Sequence, residues 1–205
     1  MMTQILEPTP STPPGRVRWT REAVEALQQS GFLDSERRYE VIDGEIIEMS
    51  DNPPHRFCVR MLFHFLMRVF GAERACYQSA IQTSKTDPVR NNPIPDASVT
   101  REPDAAYAAR FPGPDDLLLV GEVSDSTLAY DLGEKALLYA RADIPEYWVL
   151  DIQGRHLIVH RQPGQDGYAD IRLYPEGEEA ATLSRPETKT RVSDLLPPTE
   201  VPTAP

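Results

Sequence analysis

The chain has 205 residues, enough for one domain with a sizeable core and too few for two comfortable ones. Its 21 Lys and Arg stand against 32 Asp and Glu, a formal net charge of −11. That balance argues against a broad basic surface for DNA or membrane, but leaves room for a local basic groove.

The N-terminal stretch MMTQILEPTPSTPPG has no basic start followed by an apolar run, and no apolar run reaches 18 residues. No signal peptide or membrane span is expected, and the location expected is cytoplasmic. Pro and Thr crowd residues 7–15 and 195–205, so both ends are expected to be flexible. Residues 19–31 predict a short helix with Thr20 as N-cap and Gly31 as stop. Residues 38–50 form two strand-like runs around Asp43-Gly44, a strong hairpin signal. Residues 54–72 are apolar on nearly every face and predict a well-buried helix ending at Gly71. Cys58 falls inside it and Cys76 at the start of the strand expected over 75–84; neither belongs to a CxxC pair, and both read as free thiols.

Pro95 biases Ile94 to an extended conformation, so Asp96 opens a strand, DASV. The most apolar strand, 115–124, exits through Glu122, and a helix is expected from Asp131 to about Ala142. Strands then follow at 145–152, 155–162 and 168–174, with turns at Gly154 and 163–167. The strand–helix–strand unit at 115–152 predicts a crossover in a partly parallel α/β sheet with an antiparallel hairpin at one edge.

A carboxylate near the end of a core strand is costly to bury unless it is paired or metal-bound. Asp96 and Glu122 at neighbouring strand ends can share a hard cation such as Mg²⁺, with a backbone carbonyl and waters. Lys135, on the helix after the Glu122 strand, can orient or help deprotonate the attacking water and stabilise developing charge on a phosphate. These are the parts of metal-assisted phosphodiester hydrolysis.

Pro95-Asp96, Glu122 and Lys135 look like the PD-(D/E)XK nuclease superfamily. More closely, YEVIDGEIIEMS, PIPDASV, His55 and LLLVGEVSDSTLAYDLGEKALLYARADIPEYWVLD resemble the bacterial Uma-type (Uma-two) restriction endonuclease family, over roughly residues 20–175. The resemblance implies a restriction-endonuclease-like mixed central sheet flanked by helices, with an N-terminal β-hairpin. That domain would span 18–180, between a flexible segment 1–17 and a Pro-rich tail 181–205. It also implies Mg²⁺-dependent DNA cleavage, with Mn²⁺ as a possible substitute, by a homodimer. Asp96 and Glu122 would be metal ligands, the Val123 carbonyl a third, and Lys135 the catalytic lysine. In the simplest superfamily pattern the lysine stands two positions after the acid, where this chain has Ser124. Asn92 and Asp143 also depart from the family, which commonly has a carboxylate and a glycine there.

Blander readings stand beside these. Asp96 could cap a loop, Glu122 could pair with an arginine, and Lys135 could form a surface i,i+4 pair with Asp131. Glu48 and His55 flank the loop before the buried helix; either could line the site or serve as a cap or surface residue. The His156/His160 spacing does not make a zinc pair on a strand. Two rival functions remain: a silent binding or structural module that keeps the fold, and a metal-dependent hydrolase of a small phosphate ester. An elongated groove flanked by Arg60, Arg68, Arg101 or Arg110 would favour DNA over the small ester.

Overall fold

The computed structural model describes residues 17–49, 52–84, 91 and 93–199. The N-terminal segment up to residue 16, Asn92 and residues 200–205 lie outside the described residues. Helix α1 (Arg21–Gln29) starts where the Thr20 hydroxyl accepts from the Ala23 N–H at 3.3 Å. Strands β1 (Tyr39–Ile42) and β2 (Glu45–Glu48) form the expected hairpin. Asp43 and Gly44 both take positive φ, as a two-residue turn of this twist requires. Helix α2 (Pro53–Phe70) is capped by the Asn52 side chain on the His55 N–H at 3.0 Å and stops at Gly71, φ 90°.

The central sheet has six strands in chain order: β3 (Ala75–Tyr77), β4 (Ala97–Thr100), β5 (Leu117–Ser124), β6 (Glu146–Asp151), β7 (His156–Gly164) and β8 (Gly167–Pro175). Only the β5–β6 pair is parallel; the other four pairs are antiparallel. The expected α/β fold is therefore present, with its single crossover between β5 and β6. The strand expected over 75–84 is regular only to Tyr77.

Two apolar layers hold the sheet. On one face Leu62, Phe65 and Leu66 of α2 pack on Val99, Leu119, Val123, Trp148 and Leu150. Gly121 lets α2 approach β5 closely, since an added Cβ would lie 3.0 Å from Leu62 Cδ2. On the other face Val120, Tyr147 and Val149 meet Tyr139 and Ala140 of the crossover helix. Side chains alternate along a strand, so Glu122, two residues after Val120, faces the crossover helix.

That helix begins earlier than expected. Leu128–Tyr130 (α3) leads into a π-helical turn, Asp131–Lys135, and then α4 (Ala136–Arg141). At its end Asp143 adopts φ 56°, a left-handed conformation that glycine takes without strain. Asp143→Gly is expected to stabilise the fold by roughly 0.5 kcal/mol net of glycine's greater unfolded-state freedom, read as a higher urea midpoint.

The packed domain reaches past the boundary expected at residue 180. Strands β9 (Glu179–Ala181) and β10 (Lys189–Arg191) pair, and Val192, Leu195 and Leu196 join the α2-side core. The spacing of these apolar residues among prolines hid that contribution. Among the described residues no helix is long and apolar enough to cross a membrane, and Cys58 and Cys76 are free thiols.

Candidate active site

The β4–β5 register pairs Ala97 with Gly121, so continuing it by one residue sets Asp96 opposite Glu122 at the strand ends. Both side chains are buried, at 2 % exposure each. Asp96 Oδ2 accepts from the Val123 N–H at 2.9 Å and lies 3.3 Å from His55 Nε2. Its Oδ1 accepts from the Gln78 amide at 3.2 Å. Burial alone would raise the Asp96 carboxyl; the His55 and Val123 contacts and the Lys135 charge together hold it below the ordinary carboxylate range.

Lys135 is not a surface lysine. It is 4 % exposed, and its Nζ lies 3.0 Å from Glu122 Oε1 and 3.0 Å from Glu40 Oε1. These two contacts take the place of the i,i+4 pair with Asp131 that the blander reading allowed. Asp131 is buried instead on the strand side, where its Oδ2 accepts from Ser124 Oγ at 2.7 Å and Thr127 Oγ1 at 2.6 Å. Ser124 thus tethers the helical segment that carries Lys135. The π-turn completes the arrangement: the Ala136 N–H donates to the Asp131 carbonyl, which also accepts from the Tyr147 hydroxyl at 3.0 Å. Such a widened turn swings side chains off the regular helical spacing and is frequent at functional positions.

Glu122 also accepts from the Tyr139 hydroxyl at 2.8 Å, again on Oε1. Among the described residues both donors thus meet one oxygen of Glu122. Burial, opposed by Lys135 and reinforced by the charges of Asp96 and Glu40, pushes the Glu122 carboxyl up to about 8. Lys135 moves the same way: burial would lower it, but the surrounding carboxylates outweigh burial and hold it protonated. Burial is the main cause of the raised Glu122, and it is reinforced because Glu40, Asp96 and Glu122 crowd one ammonium.

A cavity of about 40 Å³ lies at this cluster, with Glu40, His55, Asp96, Glu122, Val123 and Lys135 on its wall. Among the described residues no three His, Cys, Asp or Glu side chains form a ready metal cage. The donors at the strand ends are two carboxylates and a nearby main-chain carbonyl, all hard oxygens. Mg²⁺ suits such a set, since it keeps several waters and takes one or two carboxylates.

Glu40 is the residue the sequence reading missed. It sits at the second position of β1, is 2 % exposed, and also accepts from the Ile94 N–H at 3.3 Å. The signal that marked Glu122, an acid within an apolar strand, was present in YEVI too. His55 is buried against Asp96 while its backbone N–H meets the Asn52 cap. Glu48 also borders the cavity but pairs outward with Arg37 at 3.0 Å. Of the four arginines considered for a groove, Arg60 and Arg68 lie on α2, Arg101 donates to the Asp115 carbonyl, and Arg110 pairs with Asp116 at 2.5 Å.

Comparison with known proteins gives two findings. The family model for Uma2, described as "Putative restriction endonuclease", matches residues 22–190. A solved structure from Anabaena variabilis, titled as a putative nuclease belonging to DUF820, superposes with a TM-score of 0.62 at 18 % identity, covering 86 % of this chain and 96 % of that one. No curated protein matches the chain.

Proposed function

The chain belongs to the Uma2 ("Putative restriction endonuclease") family, and from that premise we propose that it is a metal-dependent endonuclease hydrolysing DNA phosphodiester bonds. The observation that supports this most is the facing pair Asp96 and Glu122 at adjacent strand ends, with Lys135 Nζ 3.0 Å from Glu122. The 40 Å³ cavity also speaks against the small-ester reading, because it is far below the roughly 300 Å³ at which pockets enclose small ligands. A phosphate presented from outside on a longer chain suits so small a cavity.

In this reading Asp96, Glu122 and the carbonyl of Val123 would hold Mg²⁺, or Mn²⁺ in its place, which supplies Lewis-acid polarisation of the phosphate and acidifies water. Lys135 stays an ammonium, so its part is to orient the attacking water and stabilise charge on the phosphate rather than to accept a proton. Tyr139 and Glu40 fix the positions of Glu122 and Lys135, while His55 and Gln78 orient Asp96. Duplex DNA has two strands to cut, so the active form proposed is a homodimer.

The test is incubation of plasmid and single-stranded DNA with the protein and Mg²⁺ or Mn²⁺, beside Lys135→Ala. Cleavage by the wild type that needs the metal and falls at least a hundredfold in the variant is expected. Absence of cleavage with every substrate and either metal would sink the nuclease reading in favour of a silent module with this fold.

A further inference from the structure

Helix α2 carries a feature that the catalytic cluster does not use. Arg56, Arg60, His64 and Arg68 recur at every fourth residue and are all exposed. They form one stripe, each step rising about 6 Å along the helix. The helix contains no Asp or Glu, in a chain whose net charge is −11. Among the described residues Arg60 has no carboxylate partner.

Beside the stripe lies a cleft of about 650 Å³ lined by Arg56, Arg60, Phe63, His64, Tyr77 and Gln78, with no acid among them. Phe63 and Tyr77 meet edge to face, 5.4 Å between centroids, and Tyr77 is 46 % exposed. The cleft ends at the site already described: Gln78 donates to Asp96 Oδ1, and Arg56 follows His55, which contacts Asp96 Oδ2. Cations in line beside an exposed aromatic ring are the elements that hold an unpaired strand, charges on phosphates and a ring under a base. An acidic peptide would use the charges but not the ring.

We propose that this cleft is the path along which an unpaired DNA strand reaches Asp96 and Glu122, its phosphates on Arg56, Arg60 and His64 and a base stacked on Tyr77. The inference rests on the nuclease reading for its choice of DNA, but it concerns binding and can be tested without cleavage.

The experiment is anisotropy of a labelled oligodeoxythymidine with the full chain in EDTA, titrated across salt concentrations. Arg60→Ala is expected to lower the slope of log affinity against log salt by about 0.7, one phosphate contact on a single strand. Arg60→Glu should weaken binding at least tenfold, and Tyr77→Ala roughly tenfold with the slope unchanged. Matching urea midpoints would show that these exposed substitutions leave the fold intact.

Wild-type affinity in Arg60→Glu overturns the proposal. So does an equal loss in Arg191→Glu, an exposed arginine on β10, or competition by poly-glutamate as effective as that by DNA. Binding that depends on Arg60 and Tyr77 while plasmid stays uncut would support the cleft and count against the nuclease reading, so the two fail separately.

Discussion

Glu122→Gln is expected to lower metal-dependent cleavage about a thousandfold and, without metal, to make the protein more stable near pH 8. Both effects follow from one buried carboxyl. In the metal-free fold, burial and the neighbouring charges of Asp96 and Glu40 raise Glu122 to about 8, against 4.5 when exposed. The folded state therefore holds a proton that the unfolded chain releases. The stability this contributes is complete below about pH 4.5 and is lost as the pH rises through about 8, by a few kcal/mol. Glutamine keeps the shape and can still meet Tyr139 without ever having to ionise. Its urea midpoint should lack this group's decline between about pH 4.5 and 8.

The same proton couples to metal. Below pH 8, Mg²⁺ binding to the wild type should release close to one proton. Affinity should then rise about tenfold per pH unit until Glu122 ionises. Calorimetry in two buffers of different ionisation enthalpy reads the proton directly. Glu122→Gln should show neither the release nor the pH slope, and cleavage should fall about a thousandfold, the scale of losing roughly 4 kcal/mol of charge stabilisation. Unchanged Mg²⁺ affinity in the glutamine variant would remove Glu122 from the metal site. Asp96→Asn is a poorer probe, because Asp96 accepts from both Val123 and Gln78, and an amide nitrogen would turn a donor toward one of them.

What the sequence revealed about this site followed from local chemistry. Pro95 and the apolar run before Glu122 placed two strand ends, and the long strand–helix–strand unit placed the crossover. Both signals rest on backbone preferences written within a few residues. The π-turn was not legible, because its widened hydrogen bond depends on Asp131 being drawn to Ser124 and Thr127, a tertiary contact. Helix periodicity therefore left open a surface pair between Asp131 and Lys135 as the blander alternative, whereas the fold turns both inward. Glu40 lies 95 positions before Lys135 and comes near it only when the hairpin meets the segment before β4 at Ile94. Its partner could not be inferred from spacing. The final turn, Val192–Leu195, was hidden for a compositional reason: prolines on both sides resembled a tail, yet two of its four residues are buried.

The second large effect concerns Lys135 and Glu40 together. Lys135→Met removes the ammonium that lies 3.0 Å from each of two buried carboxylates. Methionine fills a similar volume, so the cost is electrostatic, and stranding buried charge in this way costs about 3–5 kcal/mol. At pH 7 Glu122 can answer by keeping its proton, since it already titrates near 8 and loses a stabilising neighbour. Glu40 then has lost its ammonium partner.

Converting it as well, in Lys135→Met with Glu40→Gln, should restore part of the lost stability, a coupling of about 1–3 kcal/mol between the two positions. Cleavage should not return, because Lys135 is the group proposed to act on the phosphate. Urea midpoints of the four proteins in the cycle, with plasmid cleavage measured on each, separate the two roles. Additive losses of stability would mean that the Glu40 contact contributes little. Recovery of cleavage in the double variant would instead make Lys135 a neutraliser of Glu40 rather than a catalytic residue. Stability recovered without activity is the result that a buried lysine serving both the fold and the reaction requires.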